Sequence, residues 1–301
     1  MSPSSSKKRA AKTSGKAAKT SSRESSKRAA STASRRAVPD LSALNPLRTG
    51  MPALDSIVEV LTKTPPSSAR AITADAALSG FRIIRTSEMD GYEEGAAESL
   101  TRGVLAAARP TGDNFAGTAR RAAKISIADA ETEEFEDLTE LVRSLTPDRN
   151  MVNRRPRIST ARNSNRVREE KRNVRVRVFL YAASKEDDND FHLILGRDPN
   201  SPPEMYMNME LSGLPPRNSA AFEALSGARN AFKQLIDDLF EGDLPGSRYD
   251  FYDPPIPVII EGSLFFDMNH ATGQRPGPQS LKSRIPTIWE VHPITAFEFT
   301  P

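Results

Sequence analysis

The sequence lacks several residue types and motifs on which whole classes of protein depend. Its 301 residues include no cysteine, which excludes disulfides, thiolate metal sites and cysteine nucleophiles. It contains no GxGxxG or GxxxxGKS/T phosphate loop and no G-x-S-x-G nucleophile elbow. No apolar run approaches the roughly 18 residues of a membrane span, and the positive N-terminus lacks the apolar core of a secretory signal. We therefore expect a soluble cytoplasmic protein without a membrane partner.

Positive charge is concentrated at the start of the chain. Residues 1–37 contain six Lys and five Arg against Glu24, a net charge of +10, whereas the whole chain carries only +3. The rest of the chain is therefore at −7. No aromatic or β-branched aliphatic residue precedes Val38, so this segment cannot bury enough apolar surface to offset its ordering entropy. We predict that residues 1–40 form a disordered basic tail.

The composition of this tail resembles the lysine- and alanine-rich tails of histone H1-like bacterial proteins. That resemblance implies sequence-independent binding of polyanions by counterion release. The candidate nucleic-acid-binding residues of the tail are Lys7, Lys8, Arg9, Arg35 and Arg36. The alternative is a leader that only keeps the protein in solution.

Residues 41–148 are predicted to be a mixed, mainly helical region. Helical spacing predicts a helix over 54–64 and an amphipathic helix over 132–145 with Thr132 as its candidate N-cap. A strand is expected over 81–90, and short helices over 98–108 and 118–130.

A basic linker is predicted over 149–172. Residues 149–177 carry eleven Lys or Arg against Glu169 and Glu170, directly after a stretch, 129–148, with eight acids against Arg143. Two interpretations follow: the two stretches neutralise each other, or the basic one contacts nucleic acid.

Residues 173–301 are predicted to be an α+β, mostly β, domain. The period of two in "NVRVRVFLYAA" indicates a half-buried strand, and "DFHLILG" and "EMYMNMELSG" indicate two more. A helix follows, capped by Asn218 or Ser219, and strands are predicted over 256–267 and 287–299. Three strands, a helix and two strands is the element order of a five-stranded OB-like barrel with its helix between strands three and four. An α+β sheet with a covering helix is the alternative.

Three segments of this domain also resemble a pattern at the C-terminus of uncharacterised bacterial proteins with an OB-like domain. They are "NDFHLILG", which contains D-x-H; "EGSLFFDMNH"; and "WEVHPIT", which contains E-x-H-P. The resemblance covers at most 173–301 and implies no activity. The paired carboxylate and arginine signature of thermonuclease-type OB enzymes is missing, which argues against a nuclease of that type.

Six acid and histidine residues in the same segments are candidate metal ligands. Asp190 and His192 lie two apart on the second predicted strand, so their side chains point to one face. The remaining candidates are Asp267, His270, Glu290 and His292. If the strand ends meet, this set suits Zn²⁺ or a harder divalent ion, and a histidine with a carboxylate partner suits general-base catalysis. The alternative is that each group has an ordinary structural role and that no cofactor is bound.

The predicted barrel also offers candidate contacts to nucleic acid. Arg175 and Arg177 share the outward face of the first strand, and Arg275, Lys282 and Arg284 lie in the loop between the fourth and fifth strands. However, the loop between the first and second strands carries four acids, which would repel a phosphate backbone.

The sequence therefore favours a non-enzymatic protein that associates with nucleic acid, in the cytoplasm or at the nucleoid, through its basic tail and an OB-like domain. A structural or protein-interaction module with a solubilising tail is one alternative. A metal-dependent enzyme that uses the Asp/His set is the other.

Overall fold

The computed structural model describes residues 57–62, 80–86, 112–272 and 274–300, and for 57–62 only the backbone. The predicted basic tail, with its candidate residues Lys7, Lys8, Arg9, Arg35 and Arg36, lies outside the described residues. The short helix predicted over 98–108 lies outside them as well. These parts of the sequence interpretation stay predictions.

The described chain is mostly β. In chain order its strands are β1 Ile57–Thr62, β2 Arg82–Thr86, β3 Thr132–Phe135, β4 Asn173–Lys185, β5 Phe191–Gly196, β6 Tyr206–Leu211, β7 Asp250–Phe266 and β8 Trp289–Phe299. Its α-helices are α1 Arg121–Lys124, α2 Leu138–Ser144, α3 Asp148–Val152 and α4 Phe222–Phe240. Among these helices, none has the length and apolar character that crossing a membrane requires.

Five strands close into a ring. β4 pairs with β5, β5 with β6, and β7 with both β4 and β8, all antiparallel. β6 and β8 complete the ring as a parallel pair, with Met209 opposite Val291. α4 connects β6 to β7. β2 extends the sheet from β7, β1 pairs with β2, and β3 pairs in parallel with β4.

The apolar side of each ring strand contributes to one core. Strand geometry alternates side chains between two faces, which places Val174, Val176 and Val178 of β4 in this core with less than a few per cent exposure. Phe232 of α4 packs between Phe191 and Phe297, with ring centroids 5.2 and 5.6 Å away. Burying each such side chain contributes about 1.5–3 kcal/mol. Apolar burial of this kind fixes the ring that positions the site.

The strands and the helix predicted over 173–301 are confirmed in their predicted order, but the N-cap of the helix is Ala221, not Asn218 or Ser219. β7 begins at Asp250, six residues before the predicted start. Trp289, expected in the core, is buried, and its indole nitrogen donates to the Thr146 carbonyl at 2.7 Å. The strand predicted over 81–90 is confirmed as β2.

Two helix predictions before residue 150 are wrong. The segment predicted as a helix over 54–64 contains strand β1, because the β-branched residues of "IVEVLT" suit a strand that can pair with β2. The helix predicted over 132–145 is divided: Thr132 begins strand β3, and α2 starts only at Leu138. Its N-cap is Asp137, which accepts from the Thr139 backbone N–H at 2.5 Å.

Candidate metal centre

The outer sides of β5, β6 and β8 carry polar side chains that are buried. Every residue of β5 and β6 is buried, so both sides of these strands are covered by protein. The strand register brings the polar groups together: His192 lies opposite Glu210 across β5 and β6, and the parallel pair Met209–Val291 sets Glu210 beside His292.

Glu210 lies between two histidines. Its Oε1 is 2.6 Å from His192 Nε2, and its Oε2 is 2.5 Å from His292 Nδ1. Glu186, at the turn after β4, contacts the same His192 nitrogen at 2.5 Å. Two histidines from two strands therefore share one carboxylate, with a second carboxylate on His192.

A second row of polar groups runs beside the first. The Asn208 amide donates to Glu210 Oε1 at 3.1 Å and to Glu290 Oε1 at 2.9 Å. Glu290 Oε2 lies 3.8 Å from His292 Nδ1. Past the end of β7, Asp267 contacts the ring of His270. We call these residues, together with Asp190, the acid–histidine cluster: Glu186, Asp190, His192, Asn208, Glu210, Asp267, His270, Glu290 and His292.

Two groups of three residues in the cluster bring potential metal-ligand atoms close together. The first ligand group is Asp190, Glu210 and His292, and the second is Asp267, His270 and Glu290. Within each group, one ligand atom per residue lies within 4.8 Å of the others. Two of these oxygens, Asp190 Oδ2 and Glu290 Oε2, are buried without a hydrogen-bond partner, and His292 Nε2 lies 3.5 Å from Asp190 Oδ2. Carboxylate oxygens and neutral imidazole nitrogens are the donors that divalent first-row metals bind.

Burial and mutual repulsion shift the pKa values of the cluster. Burial raises the pKa of Asp190 well above the usual carboxyl range, and nearby Asp188 adds to the rise. The pKa of Glu290 is raised in the same way, by burial and by Glu210. Burial opposes ionisation of Glu210 too, but His192 and His292 hold its pKa well below its usual value. In the absence of a cation, the cluster is thus a mixture of neutral and ionised carboxyl groups.

A segment that precedes the ring covers the cluster. This cover segment comprises residues 112–128. Near its start, the Phe115 backbone N–H donates to the Leu214 carbonyl at 2.9 Å. Arg120 forms a bidentate pair with buried Glu170, at 2.6 and 2.7 Å, and its guanidinium lies 4.6 Å from the ring centre of Phe265. Lys124 Nζ lies 4.0 Å from Glu210 Oε2.

Arg166 fastens the cover segment to the strands beneath it. Its guanidinium donates to the carbonyls of Ala123 and Ser126 in the cover segment, each at 2.8 Å. It also donates to the carbonyls of Leu264 and His292 in β7 and β8, at 2.6 and 2.8 Å. Burial lowers the pKa of Arg166 to about 10, so it stays charged at neutral pH. One side chain thus ties three elements around His292.

The structure brings all six predicted metal ligands into this one cluster: Asp190, His192, Asp267, His270, Glu290 and His292. His192 and His292 meet through Glu210 rather than directly. Sequence reasoning missed Glu210, because in "YMNMEL" it alternates with apolar residues as a solvent-facing residue would. It also treated Glu186 as one of the loop acids, without assigning it to His192.

The predicted nucleic-acid contacts of the barrel are dispersed. Arg175 forms a bidentate pair with Glu298 at 2.9 Å, whereas Arg177 is exposed. Arg275 pairs with Asp148 at 2.7 Å. In the loop between β7 and β8, Arg284 contacts Glu204 at 3.2 Å, and Lys282 is half-buried.

Comparison of the chain with protein-family models, with curated proteins and with solved structures found no match in any of the three.

Proposed function

We propose that this protein binds a divalent transition-metal ion in the acid–histidine cluster. The observation that carries the proposal is a buried set of five carboxyl groups in which Asp190 Oδ2 and Glu290 Oε2 have no hydrogen-bond partner. Among the described residues, Lys124 is the one ammonium or guanidinium group within 4.0 Å of a cluster carboxylate. Buried carboxylates otherwise need a paired charge or a coordinated metal, because removing them from water costs several kcal/mol or more per ion.

The donor set narrows the choice of ion. Each ligand group combines one imidazole with two carboxylates. Imidazole favours Zn²⁺, Fe²⁺ and their neighbours over Mg²⁺ and Ca²⁺, which prefer all-oxygen sites. The chain has no cysteine, so no thiolate selects a softer ion. Zn²⁺ is therefore the first ion to test, with Mn²⁺ and Fe²⁺ next.

Elemental analysis of full-length protein from cells supplied with these metals tests the proposal. After dialysis we expect at least one metal ion per chain. Glu210→Gln and His292→Gln should each lose at least one equivalent, because each removes a ligand while keeping the side-chain volume. Glu298→Gln is the matched control, since Glu298 is a half-exposed carboxylate outside the cluster. Metal-free wild-type protein, or Glu210→Gln with the wild-type content, would contradict metal binding.

We also propose that the ring is an OB-like barrel. Its support is the element order, with α4 between the third and fourth ring strands, and the parallel closure of β6 on β8. OB-folds bind ligands across the outer side of the second and third strands. In this chain that side is β5 and β6, where the acid–histidine cluster lies beneath the cover segment.

Association with nucleic acid is a second candidate function, supported by the charge of the linker. The acidic stretch neutralises the basic one only in part: Glu133 pairs with Arg172 and Glu134 lies 3.7 Å from Arg175, whereas Asp137 pairs with Arg197 and Asp148 with Arg275. Some basic residues are exposed and have no carboxylate partner within 4.0 Å in the described chain; they are Arg149, Arg155, Arg157, Arg162 and Lys171. Mutual neutralisation therefore leaves a basic surface that an anionic backbone could contact.

Fluorescence anisotropy with labelled single- and double-stranded DNA tests this second candidate. We expect the logarithm of the DNA affinity to fall linearly with the logarithm of the salt concentration. A chain starting at residue 38 and an Arg157→Ala/Arg162→Ala variant should each show a shallower slope, because each removes phosphate contacts. Arg143→Ala is the control, an exposed arginine on the acidic helix. Absence of salt-dependent DNA binding near physiological ionic strength would exclude association with nucleic acid.

A further inference from the structure

We infer that the acid–histidine cluster holds two divalent ions, and that the ion in the second ligand group, Asp267, His270 and Glu290, exchanges with solvent while the ion in the first is enclosed. This inference rests on the proposed metal binding and extends it. It assigns the two ligand groups different roles.

The two ligand groups are separate but adjacent. They share no residue, so each offers its own three ligand atoms. They are joined by Asn208, whose amide donates to one carboxylate of each group, Glu210 and Glu290. Glu290 Oε2 and His292 Nδ1, one from each group, lie 3.8 Å apart. Two neighbouring ligand groups of this kind offer one site to each of two ions.

The first ligand group has no opening to solvent. Asp190 and His292 are completely buried, and Glu210 is 2% exposed. Arg166 holds the cover segment against the His292 carbonyl, and Gly213 N–H donates to Asp190 Oδ1 at 2.5 Å. An ion bound in this group is surrounded by protein, as in closed structural sites.

One member of the second ligand group, Asp267, borders a small cavity. The cavity has a volume of about 10 Å³ and is lined by Asp267 together with Arg120, Lys124, Phe265 and Asn269. None of the first group lines it. A volume of roughly 10–15 Å³ is what one water molecule needs. An ion at Asp267 therefore has room for a water ligand beside it, the open position that distinguishes exchangeable and catalytic sites from closed ones.

Timed release of zinc from the full-length protein tests the inference. Protein purified from zinc-supplemented cells is mixed with the chelator 4-(2-pyridylazo)resorcinol, and absorbance reports each zinc ion as it leaves. We expect two zinc ions per chain, one released at least tenfold faster than the other. Asp267→Asn and His270→Gln should each contain one zinc and show only the slow phase. Asp129→Asn, which alters an exposed carboxylate outside the cluster, should keep both phases.

The outcomes separate the inference from the proposed function. One zinc ion per wild-type chain, unchanged in Asp267→Asn, would refute the second ion while leaving metal binding intact. Loss of the slow phase in Asp267→Asn, or one common rate in the wild type, would refute the assignment of the exchangeable site. Wild-type protein without zinc would refute the proposed function itself. Circular dichroism of both variants identifies a folding failure, and His270→Gln serves if Asp267→Asn does not fold.

Discussion

Single residues in this protein take roles that depend on distant parts of the chain. Glu210 lies on a strand whose apolar residues face the core, yet its carboxylate contacts His192 and His292. Its outer side is buried because the cover segment, which begins about a hundred residues earlier in the chain, lies over it. A polar residue on an alternating strand thus indicates a face, and tertiary packing decides whether that face meets water.

At the residue scale, Asp137 makes a pH-dependent contribution to the stability of the fold. Burial opposes its ionisation, but hydrogen bonds from Arg197 and from the Thr139 backbone outweigh this and lower its pKa. A carboxyl group whose pKa is lower in the folded state stabilises the fold above the unfolded value of about 3.9. That stabilisation is lost as the pH falls through the folded pKa.

We expect Asp137→Asn to be destabilised at pH 7 by up to about 1 kcal/mol, since a partly exposed ion pair is lost while the cap is kept. The deficit should shrink as the pH falls from 4.5 to 3. Asp137→Ala should lose about 1 kcal/mol more at pH 7, because it also removes the N-cap. Urea unfolding at each pH measures these differences, with Asp129→Asn as an exposed control. A deficit that does not change with pH would show that the charge of Asp137 does not stabilise the fold.

At the scale of elements, the cover segment and the end of β6 approach each other too closely for a side chain at Gly213. A Cβ there would lie 2.6 Å from Phe115 Cα and 2.8 Å from Phe115 N, both backbone atoms. The same region contains the backbone bond from Phe115 to Leu214. Gly213 therefore permits the backbone contact that attaches the start of the cover segment to the residues after β6.

We predict that Gly213→Ala destabilises the protein by about 1–3 kcal/mol, as overpacking against a backbone does. Gly227→Ala is the matched control, because Gly227 lies within α4 and its added Cβ would meet no atom within 4 Å. That change should stabilise the fold by roughly 0.5–1 kcal/mol through helix propensity. Urea unfolding gives both values, and hydrogen exchange should show faster exchange at Phe115 in Gly213→Ala alone. Equal stability of the two variants would contradict the close contact.

At the scale of the whole molecule, metal binding and folding should be linked. An ion that binds only the folded state adds about 2.7 kcal/mol at a hundredfold excess over its dissociation constant. For a domain of this size that corresponds to roughly 5–10 °C in Tm. We therefore expect removal of metal to lower Tm by several degrees and Zn²⁺ to restore it in wild type, with a smaller recovery in Glu210→Gln, which keeps only the second ligand group. Differential scanning calorimetry measures this shift. An identical Tm with and without metal would argue against a structural ion.

Local patterns were enough to predict the C-terminal elements but not the covered face. The ring strands and α4 could be predicted because their apolar spacing, as in Val174, Val176 and Val178, is set by the core they build. Asp190, His192 and His292 could be proposed as ligands because they are the unusual residues at strand ends. Glu210, Lys124 and the cover segment could not, since their roles come from contacts between parts of the chain far apart in sequence. The helix predicted over 54–64 failed for a related reason: pairing with β2 outweighed its helical spacing.

The double-sided burial of β5 and β6 also limits how this sequence can vary. In the first half of β4, exposed Arg177 lies between buried Val176 and Val178, so this part of the strand has a side that is open to substitution. In "FHLILG" and "YMNMEL" all twelve residues are buried, in the ring core, beneath the cover segment or, as with Ile194 and Tyr206, in a cluster with Leu281 and Ile285 of the loop between β7 and β8. Lineages that carry this fold should therefore drift freely on the outside of β4 and hold these two hexapeptides nearly constant, polar residues included.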